Sequence, residues 1–209
     1  MTVKETNKTN TPTANRHYGW LKRTSDVALS VAALVGLSPF LLAIGVAVKL
    51  TSKGPVIYSQ ERIGKNGKPF VIYKFRTMHN HAEPEHPQLS HDHDPRVTGI
   101  GEFLRKYRLD ELPQLWNIIK GDMAIVGPRP EREYFIRQIL EQAPEYSALL
   151  SVRPGLTSLG MVKYGYATSV DAMVERMKYD LEYLDDLSLG EDLKIMLYTV
   201  KTVVTGKGI

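Results

Sequence analysis

"VALSVAALVGLSPFLLAIGVAV", residues 27–48, contains no charged side chain. As one straight helix it would be roughly 33 Å long, enough to cross a bilayer. Ser38-Pro39 falls at its centre. Proline removes a backbone donor and clashes with the preceding turn, so a kink is expected there. Gly36 loosens the same spot. Both flanks are basic, with Arg16, Lys22 and Arg23 before the run and Lys49 and Lys53 after it. A rule that sends the more basic flank to the cytoplasm therefore has no side to prefer. A helix broken at mid-length satisfies both flanks by dipping in and returning to the same face, each half reaching about 16 Å. The Ser38 hydroxyl is a local donor for a carbonyl that the break frees. We place this re-entrant reading first. A kinked complete span, a signal peptide and a buried soluble helix compete with it; the run is long for a signal peptide and lacks a small-residue cleavage site.

Outward from this run, the expected organisation is a disordered polar tail over 1–17, a membrane hairpin over 18–52 and a catalytic body over 53–209. The tail, "MTVKETNKTNTPTAN" at its start, is Thr/Asn-rich and has no apolar period. With 209 residues, 43% apolar and 24% charged, the chain has enough material for one packed domain and is not a disordered protein. A net charge of +4 suits an anionic partner, whether nucleotide, phospholipid or nucleic acid. The absence of cysteine rules out disulfides, zinc–thiolate sites and thiol nucleophiles.

"GPVIYSQERIGKNGKPFVIYKFRTM", residues 54–78, reads as two strands around Val56–Tyr58 and Phe70–Tyr73, joined by turn chemistry in "GKNGKP". Arg62, Lys65, Lys68, Lys74 and Arg76 make this hairpin basic. That suits phosphate, and it equally suits an edge strand protected from aggregation by lysine. "HNHAEPEHPQLSHDHDP" holds five of the six histidines without regular helical spacing, and is expected to be a polar surface loop rather than a metal site.

"RLDELPQLWNIIKGDM", residues 108–123, sets Asp110 beside Glu111. A helix from about Glu111 to Lys120 is expected, with Asp110 as its N-cap, Pro113 in the first turn and Gly121 as its stop; a short helix begins earlier, at Phe103-Leu104. A capping role alone would account for the two acids. Their neighbours point further: Arg105 and Arg108 lie upstream, and Arg129 and Arg132 follow in "GPRPERE". Guanidinium groups match phosphate oxygens, and a carboxylate among them stays ionised, able to attack phosphorus or bind Mg²⁺. No P-loop or G-x-G-x-x-G pattern is present, so nucleotide kinase and dehydrogenase readings lack their phosphate cradle.

The ordered series "LKRTSDVALS", "LSPF", "KFRTM", "DPRVTGIGEFLRKYRLDELPQLWNIIKGDMAIVGPRP" and "VRPGLTSLG" resembles the bacterial sugar transferase family, the monotopic phosphoglycosyl transferases, over residues 18–209. That resemblance implies transfer of a sugar-1-phosphate from a UDP-sugar to polyprenyl (undecaprenyl) phosphate with Mg²⁺, releasing UMP, at the cytosolic face of the bacterial inner membrane. It implies that Asp110 is the nucleophile and a Mg²⁺ ligand with Glu111 as its partner, that Arg105 and Arg129 bind phosphate, and, more weakly, that Lys74 does too. Ser38 and Pro39 match the break of the family's re-entrant helix. The implied partners are the UDP-sugar, the polyprenyl phosphate and inner-membrane phospholipid, with no nucleic acid; a homodimer stays open. Gly160-Met161 departs from the family's Ala-Gln, in a region expected to shape nucleotide or sugar recognition. Longer members carry further N-terminal segments, so this sequence is expected to be the catalytic unit.

Towards the C-terminus, Val170, Met173, Val174, Met177, Leu181 and Leu184 recur at helical spacing behind a capping box at Thr168-x-x-Asp171. A second helix opens at Ser188-x-x-Glu191; whether it packs in the core or lies on a bilayer is open. The fold class expected is mixed α/β, helix-rich with a small sheet or β-hairpin. A non-catalytic membrane-surface protein binding anionic lipid or nucleic acid is the rival from another class. An enzyme passing the bare sugar and releasing UDP is the nearer one.

Overall fold

The computed structural model describes residues 16–79, 87–91 and 94–206, with side-chain placement from His17 onward. The expected disorder of the tail, except for its last two residues, lies outside the described residues. So does the core of the histidine-rich loop.

Helices α1 (Arg16–Gly36) and α2 (Ser38–Thr51) form a pair bent by 65°. Among the described residues no single helix is long and apolar enough to cross a membrane, while the bent pair has the combined length and composition. The break has a local cause. Pro39 cannot donate to the carbonyl four residues back, that of Val35, and the Ser38 hydroxyl donates to that carbonyl instead at 2.8 Å. The expectation for Ser38 thus holds at the level of the hydrogen bond. The flank charges behave differently from the sequence argument. Lys22 turns inward to Asp192 at 2.8 Å, and Arg23 donates to the carbonyls of Ile118 and Ile119, so neither is spent on the flank. Val35, Leu42 and Leu50 stay exposed along the pair.

Strands β1 (Ile57–Ile63) and β2 (Pro69–Phe75) pair antiparallel, Tyr58 opposite Lys74, around a turn in which Asn66 and Gly67 are left-handed. Both strands are longer than the sequence suggested. Arg76 is buried here rather than solvated: it donates to the Pro55 carbonyl and, at 2.7 and 2.8 Å, to the Ser52 carbonyl and hydroxyl, tying the end of α2 to the sheet.

Helix α3 runs Gly99–Lys106, four residues earlier than expected, because Thr98 caps it by accepting from Gly101 N at 3.0 Å. Gly101 lies against the Thr77 backbone so closely that a Cβ would fall 2.1 Å from its carbonyl oxygen, so α3 docks on the end of β2 only with glycine there. A 3₁₀ segment, Leu109–Gln114, leads into α4 (Leu115–Lys120), which stops at left-handed Gly121 as expected.

The remaining elements are β3 (Ala124–Val126), α5 (Glu133–Gln142), a 3₁₀ segment Pro144–Ser151, β4 (Gly155–Thr157), α6 (Leu159–Lys163), α7 (Val170–Asp185) and α8 (Leu189–Val204). Strands β3 and β4 form a second, parallel pair that the sequence did not announce. Helix α7 is capped by Ser169, one residue after the expected Thr168, and α8 by Ser188 as expected. The main core joins Phe135, Ile136 and Ile139 of α5 to Met173, Met177 and Leu184 of α7 and Ile195 of α8. A smaller cluster of Ile44, Val48, Phe75 and Leu104 fastens α2 to the sheet and α3. Leu193, Leu197, Val200 and Val204 of α8 remain exposed. The architecture is helix-rich with two small sheets, as the fold class anticipated.

Candidate active site

Three attachments bring the charged residues together. Asn117 of α4 is fully buried; its amide donates to the Val71 carbonyl at 2.7 Å and its oxygen accepts from Tyr73 N at 3.2 Å. This lays the Asp110–Glu111 segment along β2, next to Lys74. Helix α3, docked on Thr77, carries Arg105. The β3–β4 pair holds the "GPRPE" turn through Gly127 N to Thr157 O and Gly155 N to Pro128 O, and that turn supplies Arg129 and Glu131.

Asp110 does not cap the helix. The capping position falls to Arg108, left-handed at φ 51°, and both acids lie inside the first 3₁₀ turn. Adjacent residues there point apart, so the two carboxylates have different surroundings. Glu111 is clamped: Lys74 Nζ lies 2.6 Å from its Oε1 and Arg129 NH1 lies 3.4 Å from the same oxygen. Asp110 instead lines a cavity of about 440 Å³, together with Lys74, Arg105 and Arg129. Among the described residues no hydrogen bond reaches the Asp110 carboxylate, and the Arg105 guanidinium has neither hydrogen bond nor ion pair.

Electrostatics follow from this split. Burial pushes the Asp110 carboxyl up to about 6, against the pull of Lys74 and with a further push from the Glu111 charge. Burial works on Glu111 in the same sense, yet Lys74, Arg129 and Arg108 outweigh it and hold Glu111 well below the usual carboxylate range. The expectation that a carboxylate among arginines stays ionised holds for Glu111 and mostly for Asp110 at neutral pH; Arg105 and Arg129 pull Asp110 down as well, but burial and the Glu111 charge outweigh them and leave it a raised affinity for protons.

Met161 and three residues the sequence reading assigned no site role, Tyr166, Arg176 and Asp180, complete the site. Tyr166 lies 5.1 Å from the Arg129 guanidinium and 5.6 Å from that of Arg108. Met161, half of the family departure noted above, places its sulfur 2.9 Å from Arg129 NH1 and 3.7 Å from Arg108 NH1. Arg176 and Asp180 sit on the buried face of α7, at the spacing of Met173 and Met177; charged residues on an apolar stripe were the legible signal. Asp180 accepts from Gly160 N at 2.8 Å, and a Cβ at Gly160 would meet the Arg176 carbonyl at 2.7 Å.

Among the described residues no group of three His, Cys, Asp or Glu side chains is placed to hold a metal ion. Mg²⁺ takes oxygen ligands, often one or two carboxylates plus substrate phosphates. The open Asp110 carboxylate fits that mode; a cage built only of protein groups does not fit.

A buried carboxylate open to a cation-lined cavity is an arrangement whose charges suit a phosphate ester. The bacterial sugar transferase profile matches residues 17–206, and the chain belongs to that family. It is 41% identical over 191 residues to the UDP-N-acetylgalactosamine-undecaprenyl-phosphate N-acetylgalactosaminephosphotransferase of Aeromonas hydrophila, covering 91% of this chain and 45% of that protein. It is 40% identical over 186 residues to the UDP-glucose:undecaprenyl-phosphate glucose-1-phosphate transferase of Caulobacter vibrioides, covering 88% and 70%. The exopolysaccharide production protein PSS of Rhizobium leguminosarum is 38% identical over 196 residues, 90% of this chain and 98% of that protein. The chain thus spans less than half of the first of these relatives and nearly all of the last.

Proposed function

We propose that the protein transfers a sugar-1-phosphate from a UDP-sugar to polyprenyl phosphate, undecaprenyl phosphate by the relatives' names, with Asp110 carrying the group between them. One observation supports this most: of two adjacent buried carboxylates, Glu111 is clamped by Lys74 and Arg129 while Asp110 faces the cationic cavity with no hydrogen bond among the described residues.

In the first step an Asp110 oxygen attacks the phosphorus attached to the sugar. The bridging P–O bond breaks, and UMP leaves with the electron pair. In the second, an oxygen of the polyprenyl phosphate attacks the same phosphorus, and the carboxylate of Asp110 leaves regenerated. Dividing the reaction avoids bringing two anionic substrates together at once, so ping-pong kinetics are expected. Arg105 and Arg129 stabilise the phosphate charge, and Lys74 holds Glu111 so that its charge orients the cations around Asp110. Mg²⁺ would be held by Asp110 and phosphate oxygens, and supplies neutralisation of the pyrophosphate when bound.

The bent helix pair would place this cavity at the cytosolic face of the inner membrane, with α2 dipping in and returning. Labels at the N-terminus and at Lys53 are then expected on the same side; opposite sides would refute the hairpin. The activity is tested by nucleotide release across a panel of UDP-sugars, with and without undecaprenyl phosphate and with EDTA. Sustained UMP release that needs the lipid phosphate and stops with EDTA is expected. Release of UDP would replace this reading with bare-sugar transfer. Lipid binding without turnover would leave a membrane-surface binder.

A further inference from the structure

The cavity contains a second polar cluster, which meets the dyad at Arg129. Alternate residues of β1, Tyr58, Gln60 and Arg62, line it. Tyr58 pairs with Lys74, beside the dyad, and Arg62 lies four residues further along the strand, about 13 Å away at the rise of a strand. There Glu131 is held among guanidinium groups: Arg62 NH1 lies 3.3 Å from Oε2, Arg176 donates to Oε1, and Arg129 Nε lies 4.0 Å from the same Oε1. Phe135, in the first turn of α5, and Met173, one turn before Arg176 on α7, are both buried and line the same cavity. Arg62 Nε is buried and has no hydrogen-bond partner among the described residues.

An arginine, a carboxylate and an arginine offer donor, acceptor and donor. A uracil ring offers the complement along one edge: carbonyl acceptor, N3–H donor, carbonyl acceptor. Cytosine offers donor, acceptor, acceptor, and its N3 lone pair would face an ionised carboxylate. A carboxylate has about four lone-pair sites, so the bonds from Arg62 and Arg176 leave Glu131 able to accept another. The apolar walls of Phe135 and Met173 suit the faces of a flat ring.

We infer that this end of the cavity is the nucleobase subsite of the donor, where Glu131 accepts from N3–H of uracil while Arg62 and Arg176 donate to its two carbonyls. The inference rests on the donor being a nucleotide sugar, as proposed above. It assigns the choice of base to a cluster that meets the dyad through Arg129.

Calorimetric titration of the full chain in nanodiscs with UMP, 3-methyl-UMP and CMP tests it. Losing a hydrogen bond to a charged group should weaken 3-methyl-UMP and CMP by about ten- to a hundredfold relative to UMP. In Glu131→Gln the amide can present either a donor or an acceptor, so the preference for UMP over CMP should shrink by about tenfold. If that variant does not fold, the 3-methyl comparison on the unaltered chain decides alone. Equal binding of all three nucleotides, with turnover of a UDP-sugar intact, would overturn this inference and leave the reaction standing; the triad would then only tie β1 to α7. A preference that survives Glu131→Gln would overturn the role of Glu131. Absence of both UMP binding and UDP-sugar turnover would overturn the donor assignment and this subsite with it.

Discussion

Two clusters of buried charge in this protein end differently. At the junction of α1, α7 and α8, Asp192 accepts from Lys22 at 2.8 Å and Tyr18 at 3.1 Å on one oxygen, and from Tyr183 at 2.6 Å on the other. Both oxygens are satisfied, and the cluster fastens the first helix to the last. In the cavity, Glu111 is held through one oxygen, Oε1, by Lys74 and Arg129, while Asp110, equally buried, is left open. Burial and charge alone therefore do not mark a site. A buried acid held without a donor, facing a cation-lined cavity, does, because its desolvation is offset elsewhere in the fold and its oxygens remain available to a substrate.

The comparison is broken most readily at position 110. Asp110→Asn should lower turnover at least about a thousandfold, and a smaller loss in a steady-state assay would place the reacting group elsewhere. The same substitution should raise thermal stability at pH 7.5. The sign follows from linkage: Asp110 has a raised pKa in the folded protein, so the stability it contributes is fully present below its unfolded value of 3.8 and is lost as pH rises through about 6. Asparagine is not subject to that loss, so its advantage should narrow in melts below pH 5.

Glu111→Gln should behave in the opposite way, because it leaves Lys74 and Arg129 buried without their carboxylate. A destabilisation of about 3–5 kcal/mol is expected in denaturant titration. Asp192→Asn, in the closed cluster, should cost about 3 kcal/mol by the same measure while turnover per folded molecule is unchanged; a large drop in kcat would mean that the two clusters are coupled. Ser38→Ala takes the donor from the Val35 carbonyl at the bend and should cost about 1 kcal/mol, again without a change in kcat. The smallest effect is on pH dependence. Attack needs the carboxylate, so kcat/KM should be half-maximal near pH 6 and flat above neutrality.

What was legible in the sequence was mostly local. The bend at Ser38-Pro39, the turn at Asn66-Gly67, the stop at Gly121 and the cap at Ser188 each depend on a few neighbouring residues, and each appears in the structure. The misplaced features depend on contacts far along the chain. Thr98, not Phe103, opens α3 because that helix must dock on Thr77. Asp110 leaves the capping position because Asn117 fixes α4 on β2, and the turn before it winds as 3₁₀ with Arg108 left-handed. The three-residue strands β3 and β4 are too short to show a period. The Arg62–Glu131–Arg176 triad joins three elements, with Glu131 and Arg176 separated by 45 residues, and only the charges on the apolar stripe of α7 hinted at it. The nature of the dyad came from family resemblance, while its asymmetry came from geometry.

The central claim is that Asp110 becomes the phosphorylated residue. The direct test is intact-protein and peptide mass spectrometry after rapid acid quench of the protein with UDP-sugar and Mg²⁺ but no lipid acceptor. The account predicts an added sugar-phosphate mass on Asp110, absent in Asp110→Asn and discharged by polyprenyl phosphate. Full turnover by a protein that never carries that mass, or carries it on another residue, would contradict it.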